Sequence, residues 1–162
     1  MYKSEFVEDM MKDIKRLVRK FRDAIDVARD LGSFDKDFSF CNFPRGCCGD
    51  TSDLLAQFLL ENGIKTYYVC GTYIDGSFEN RQSHAWLLTD NNTIIDITGD
   101  QFKNNPDFLN YNKSVYVGSE DDFHRLFKVE DRDIHENLGL DALGNICQPR
   151  LNELYRKIIK HI

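Results

Sequence analysis

The chain lacks most of the features that mark membrane, secreted or metal-binding proteins. No apolar run approaches the ~20 residues that a membrane-spanning helix needs. Residues 1–5 lead into a charged amphipathic segment and not into the apolar core of a signal peptide. The five cysteines are an odd number and include no C-x₂-C pair, which disfavours a disulfide framework and a zinc site. These absences predict a cytoplasmic protein with free thiols, no bound metal and no membrane partner.

Positive charge is also scarce. The 21 Lys and Arg residues face 27 Asp and Glu residues, a formal net charge of −6, so nucleic acid is not an expected partner. Glycines follow neither pattern of a phosphate-binding loop, and we expect no cofactor. The 162 residues contain no repeat, low-complexity tract or linker, which predicts a single domain spanning residues 1–162.

Hydrophobic spacing predicts two helices before any strand. Apolar residues recur every three or four positions from Ser4 to Leu31, which predicts a long amphipathic helix capped by Ser4 and ended by Gly32. A second helix is predicted from about Cys48 to Asn62. Gly63 then suits the left-handed position that follows a helix C-terminus.

Strand-forming residues dominate the middle of the chain. Strands are predicted at Lys65–Ile74, Ser83–Thr89, Thr93–Ile97 and Ser114–Val117, with a loop at 75–80 and a turn at 90–92. A short helix through Phe127, capped by Ser119 and Asp122, and a last helix from Pro149 complete the pattern. Helices followed by an antiparallel meander predict an α+β fold with extra N- and C-terminal helices.

Three residues supply the groups of a nucleophilic cysteine enzyme, in the order thiol, imidazole, carboxylate. Cys48 falls at the start of the second helix, where free N–H groups and the helix dipole favour a thiolate. His84 and Asp96 fall on neighbouring strands, and pairing centred on Asp90 would place them directly opposite each other. An Asp within an isoleucine-rich strand is costly unless it has a partner.

Other interpretations of these residues stay open. A cysteine at a helix start is often a small core residue, and Cys47 is a rival nucleophile beside Cys48. Asp100 is a rival for the acidic position because it is close in sequence. Gly49 leaves room for a substrate carbonyl near the backbone N–H groups that would stabilise an oxyanion.

Aromatic and histidine side chains add a second set of expectations. Trp86 shares a strand face with the candidate catalytic histidine, where it packs in the core or shields that ring. If the chain binds a peptide without cleaving it, Trp86 and Phe102 would frame the cleft. The other histidines, His124, His135 and His161, are expected to be scattered and exposed, and no metal site is predicted.

Several short motifs resemble the transglutaminase-like (bacterial transglutaminase-like cysteine protease) superfamily. The runs 48–55, 59–64 and 68–71 are similar to its nucleophile helix and the strand that follows. His84-Ala85-Trp86 is similar to its His-Ala-Trp strand, and Asp96-Ile97-Thr98 to its Asp-Pro-Thr, with isoleucine in place of proline. The resemblance covers residues 44 to 102, roughly, and leaves both chain ends unmatched.

The resemblance implies a papain-like core in which the nucleophile helix packs on an antiparallel sheet. It implies Cys48 as nucleophile, His84 as general acid and base and Asp96 as the orienting carboxylate, with no metal. Papain-like enzymes take a second oxyanion donor from a side chain upstream of the cysteine. Asn42, six residues before Cys48, is the candidate for that role.

These features predict thiol-dependent acyl transfer or hydrolysis on an amide, of the peptidase, amidase, deamidase or transglutaminase type. The substrate would be a protein, a peptide or a small amide, and hydrolysis is favoured because no amine-binding tract is evident. One alternative is arylamine N-acetyltransferase-type transfer, since residues 45–48 loosely resemble that family's Arg-Gly-Gly-x-Cys, although its members are longer. The other is a non-catalytic peptide-binding module on the same fold. The sequence predicts no oligomeric state.

Overall fold

Three α-helices and one antiparallel sheet make up the regular structure of the computed structural model, which describes residues 2–75 and 81–162. The helices are α1 (Tyr2–Asp30), α2 (Cys48–Glu61) and α3 (Gln148–Ile159). The strands are β1 (Tyr67–Tyr73), β2 (Gln82–Leu88), β3 (Ile94–Asp96), β4 (Tyr116–Gly118) and β5 (Ile134–Glu136), in the sheet order β4-β3-β2-β1-β5. The predicted α+β class is confirmed. No helix within the described ranges combines the length and apolar character needed to cross a membrane.

The main helices and the first four strands lie within two residues of their predicted bounds. One predicted detail is wrong: α1 begins at Tyr2, so Ser4 lies inside the helix and not at its cap. Gly63 has φ +77°, which confirms the left-handed residue after α2. The loop predicted at 75–80 lies outside the described residues except for its first position.

Short-range helical turns and one edge strand depart from the prediction. The segment ending at Phe127 forms a 3₁₀ turn, His124–Leu126, and not a helix capped by Ser119, because the Asp121 carboxylate accepts the His124 backbone N–H and closes the turn. Two further 3₁₀ turns, Gly99–Phe102 and Pro106–Phe108, bury the side chains of Phe102 and Phe108. Strand β5 was not predicted; its three residues are exposed and pair only with β1.

The sheet has a helix-covered face and a loop-covered face. Successive side chains of a strand point to opposite sides, and in β2 Leu87 joins the core beneath the helices while Trp86 joins the other core. The loop-covered core is built around aromatic rings contributed by residues 102–127: Phe102, Phe108, Tyr111, Phe123 and Phe127. His84 lies two residues before Trp86 and therefore faces this second, water-excluding core.

The register between β2 and β3 differs from the predicted one by two residues. Leu87 lies opposite Ile95 and Leu88 opposite Ile94, so continuing the ladder places Asp96 opposite Trp86 and not opposite His84. A shift of one residue would move Asp96 to the other face, but a shift of two keeps it on the face of His84. The pair therefore meets diagonally across the two strands.

Arg22 of α1 fastens the loop that follows β3. Its guanidinium donates to the Asp100 carboxylate at 2.8 and 2.9 Å, to the Ile97 carbonyl oxygen at 2.6 Å and to Asp26 at 3.0 Å. The Arg22 side chain is only 5% exposed. A buried guanidinium is stable only when it is paired, and these bonds link α1 to the loop at 97–100.

Replacing Arg22 with alanine should lower the free energy of unfolding by about 3 kcal/mol, because it leaves carboxylate and carbonyl groups without a donor. Urea unfolding followed by circular dichroism measures the change. Arg16→Ala is the matched control on the same helix: its ion pair with Asp13 is 64% exposed on the Arg16 side, and its removal should change stability by less than ~0.5 kcal/mol. Equal losses in the two variants would contradict an anchoring role for Arg22.

Candidate active site

The two adjacent cysteines have opposite environments. Cys47 is the N-cap of α2, is 2% exposed and donates its thiol to the Pro44 carbonyl oxygen at 3.4 Å. Burial raises the pKa of the Cys47 thiol to about 12, so it stays protonated. Cys48 is the first residue of α2 and is partly exposed. Of the two thiols, only that of Cys48 is accessible to solvent.

The Cys48 thiol lies against the uncovered edge of β2. Because β3 pairs with β2 only at Leu87 and Leu88, the edge at His84 and Ala85 is open to the start of α2. There the sulfur hydrogen-bonds with the His84 ring and accepts the Ala85 backbone N–H. Burial acts to raise the pKa of the thiol, but these hydrogen bonds and the positive ring outweigh burial and lower it.

A buried hydrogen bond orients the His84 ring. His84 Nε2 lies 2.7 Å from Asp96 Oδ2, and both side chains are at most 1% exposed. Burial acts to lower the pKa of His84, but the charge and hydrogen bond of Asp96, together with the effect of Cys48, outweigh burial and raise the pKa to about 9. Since Nε2 faces the carboxylate, Nδ1 is the nitrogen left to face Cys48. The Gln101 amide nitrogen also lies near Nδ1, at 3.3 Å.

Asp96 is fixed on its other oxygen as well. Its Oδ1 accepts the Thr98 backbone N–H at 2.9 Å, so the carboxylate cannot rotate away from His84 without losing a buried bond. The predicted rival, Asp100, points elsewhere, because both of its oxygens accept from Arg22. The structure therefore brings Cys48, His84 and Asp96 together and leaves Asp100 out.

A second histidine bonds to the same carboxylate, and its predicted exposure is wrong. His124 is 1% exposed, and its Nε2 lies 3.1 Å from Asp96 Oδ2. Its Nδ1 lies 2.6 Å from Asp121 Oδ1. Hydrogen bonds of the His124 backbone and ring outweigh burial and lower the pKa of Asp121, which is therefore ionised. Each ring nitrogen of His124 thus faces a carboxylate.

Aromatic rings enclose the two histidines. Trp86 lies 5.7 Å from the His84 ring and 5.1 Å from the His124 ring, between centroids, and Tyr116 stacks on His124 at 5.4 Å. The predicted cleft between Trp86 and Phe102 is wrong, because they are 4% and 5% exposed and fill the core. Trp86 therefore shields the His–Asp pair and lines no open groove.

His84, Asp96 and His124 form one group of potential metal ligands among the described residues, with ligand atoms within 4.8 Å of one another. Two ligands held ~2.0–2.1 Å from a tetrahedral ion stand roughly 3.3 Å apart. The observed separation of 2.7 Å between His84 Nε2 and Asp96 Oδ2 is shorter and is typical of a charge-assisted hydrogen bond. We therefore interpret the group as hydrogen-bonded.

The residues expected to bind substrate lie in different surroundings. Asn42 is exposed at the end of the 3₁₀ turn Phe40–Asn42, and its role as oxyanion donor stays a prediction. Gly49 follows Cys48 in the first turn of α2. A Cβ atom built on Gly49 would lie 3.0 Å from the hydroxyl oxygen of Tyr68 in β1, so a tyrosine hydroxyl lies directly over this turn.

Three polar side chains at the site were not predicted: Tyr68, Gln101 and His124. Tyr68 reads as an ordinary strand residue, and Gln101 as part of a polar loop. His124 bonds to a residue 28 positions away. The one local signal for His124 is Asp121 three residues earlier, a spacing that favours a side-chain-closed turn, but such a turn does not predict burial of the ring.

Replacing Asp96 with asparagine should raise the pKa of the Cys48 thiol. The neutral amide no longer holds the proton on His84, and the ring no longer stabilises the thiolate. We expect alkylation of Cys48 by iodoacetamide at pH 6.5 to slow by about tenfold or more, which corresponds to at least one pKa unit. Mass-spectrometric mapping over a pH series measures the profile.

Asp100→Asn is the matched control, since it removes the rival carboxylate, whose two oxygens accept from Arg22. It should lower the melting temperature and leave the alkylation profile in place. The opposite result, a shifted profile in Asp100→Asn and none in Asp96→Asn, would transfer the orienting role to Asp100.

Comparison of the chain with protein-family models, with curated protein sequences and with solved structures found no match in any of the three.

Proposed function

We propose that the protein is a cysteine hydrolase or acyltransferase that acts on amides through Cys48, His84 and Asp96. One observation carries the proposal: a thiol with a lowered pKa at a helix N-terminus is hydrogen-bonded to a histidine that a buried carboxylate orients. Structural cysteines are buried and keep a high thiol pKa, as Cys47 does. A thiol with the opposite properties, linked to a base and an acid, matches what nucleophilic catalysis requires.

Each step of the proposed reaction can be assigned to one of these residues. The Cys48 thiolate attacks the amide carbonyl carbon and forms a C–S bond. His84 donates the Nδ1 proton to the leaving nitrogen as the C–N bond breaks, and the amine departs. Water or a second amine then attacks the thioester and gives its proton to His84. The products are a carboxylic acid or a new amide, and Cys48 returns to the thiolate.

The fold supports the proposed transglutaminase-like relationship through its element order. The thiol opens a helix that packs on the sheet, the histidine lies on β2 and the carboxylate at the end of β3. This order is the one that the motif resemblance implies for a papain-like core. The long first helix and the C-terminal helix would be additions to that core, in a single domain.

Acylation with p-nitrophenyl acetate tests the proposal, because the ester needs only a nucleophile and an oxyanion site. The wild type should release p-nitrophenolate and carry an acetyl group on Cys48, detectable by mass spectrometry. Cys48→Ala should abolish the adduct, and His84→Ala should slow acylation by roughly 10²- to 10⁴-fold. Amide substrates should in addition lose turnover as pH rises through about 9, where His84 loses the proton that the leaving amine needs.

Cys147→Ser is the control, because Cys147 is an exposed thiol far along the chain from α2. It should leave acylation unchanged. Acetylation of the exposed cysteines Cys41 and Cys147 as fast as that of Cys48 would contradict an activated nucleophile. A folded Cys48→Ala protein with full activity would contradict it as well.

A further inference from the structure

We propose that the Tyr68 hydroxyl is a substrate-binding oxyanion donor at the acyl-transfer site, beside the backbone N–H groups at the start of α2. The inference rests on the proposed function and names a catalytic residue for it. In the acylation step the carbonyl oxygen becomes an oxyanion when Cys48 adds to the carbon. Donors aimed at that oxygen lower the barrier.

The position of the hydroxyl follows from its contact with Gly49. The Tyr68 hydroxyl oxygen lies 3.0 Å from the place where a Gly49 Cβ would be. Gly49 is the residue after Cys48, and its N–H belongs to the first turn of α2, where helical acceptors are missing. The distance from a Cβ atom at this position to the Tyr68 hydroxyl oxygen would be shorter than nearly all Cβ contacts in real structures. The glycine thus lets the hydroxyl stand directly beside the turn that carries the nucleophile.

The Tyr68 hydroxyl lies beside this turn without an acceptor of its own in the part of the chain that the structure describes. Among the described residues no hydrogen bond of the Tyr68 hydroxyl is present, although burial and the charges of Cys70, Asp53 and Cys48 keep it protonated by raising its pKa. The Gln101 amide, by contrast, donates to the Thr98 carbonyl oxygen at 3.0 Å and lies at 3.3 Å from His84 Nδ1. A free, half-buried O–H donor fits the oxyanion better than an engaged amide.

The strand and a stacked ring hold the phenol in place. Tyr68 pairs with Leu87 of β2 and with His135 of β5, and its ring stacks on the His135 ring with centroids 4.9 Å apart. Donors that are fixed before the reaction need no reorganisation when the charge develops. A tyrosine on a central strand with a ring packed on one side meets that requirement.

Tyr68→Phe tests the assignment with the same p-nitrophenyl acetate probe, because it removes the hydroxyl and keeps the stacked ring. Acylation of Cys48 should slow by about 100-fold, the typical cost of losing one oxyanion donor. Alkylation of Cys48 by iodoacetamide should keep its rate and pH profile, because displacement at a saturated carbon forms no oxyanion. Gly49→Ala gives a second test: its methyl group displaces the phenol, and acylation should again slow while alkylation persists.

Tyr67→Phe is the matched control. Tyr67 is the neighbouring strand residue, and its hydroxyl bonds to Asp90 at 2.9 Å on the other side of the sheet, so acylation should keep the wild-type rate. Unchanged acylation in Tyr68→Phe would overturn the assignment, and so would an equal slowing of acylation and alkylation. Failure of the wild type to acylate Cys48 at all would instead overturn the proposed function.

Discussion

The hydrogen bond of 2.7 Å between His84 and Asp96 is the contact on which the candidate site depends. It joins two side chains that have almost no contact with water, and neither would be stable there alone. A buried carboxylate without a partner becomes protonated, and a buried imidazole becomes neutral. Together they keep opposite charges, and the positive ring in turn lowers the pKa of the Cys48 thiol. The pKa of the partly exposed Cys48 thiol therefore depends on groups inside the loop-covered core.

The surroundings of Asp96 extend this charge pairing. His124 bonds to the same Asp96 oxygen as His84, and Asp121 lies beyond His124. Imidazole and carboxylate groups therefore alternate from His84 through Asp121. Each of these groups has a hydrogen-bonding neighbour, which makes burial of so many ionisable groups tolerable. The rings of Trp86 and Tyr116 exclude water from this line and so keep its interactions strong.

The sequence predicts the parts of this arrangement that arise from local periodicity. The bounds of α2, β1 and β2 follow from apolar spacing and from turn residues such as Gly63. The three proposed catalytic residues can be recognised because each is a polar group at a helix start or in a strand, where it needs a partner. The predicted register was wrong by two residues because a turn of uncertain length sets it. The face was still correct, since the side-chain period of a strand is two. His124 and Tyr68 escaped prediction because their surroundings are formed by segments distant in the chain, which no periodicity encodes.

The contrast between Cys47 and Cys48 shows that a change of one residue in backbone position can reverse the direction in which a thiol pKa shifts. Both are cysteines at the start of one helix, beside the same dipole, and a helix N-terminus alone would favour a thiolate at either. At the N-cap, however, the Cys47 side chain turns inward to the Pro44 carbonyl oxygen, and burial raises the pKa of its thiol to about 12. One residue later, the Cys48 side chain reaches the open edge of β2, where a charged ring and a backbone N–H outweigh the effect of burial on its thiol pKa. The helix dipole is common to the two thiols, so the bonds at the edge of β2 are what separate the lowered thiol pKa of Cys48 from the raised thiol pKa of Cys47.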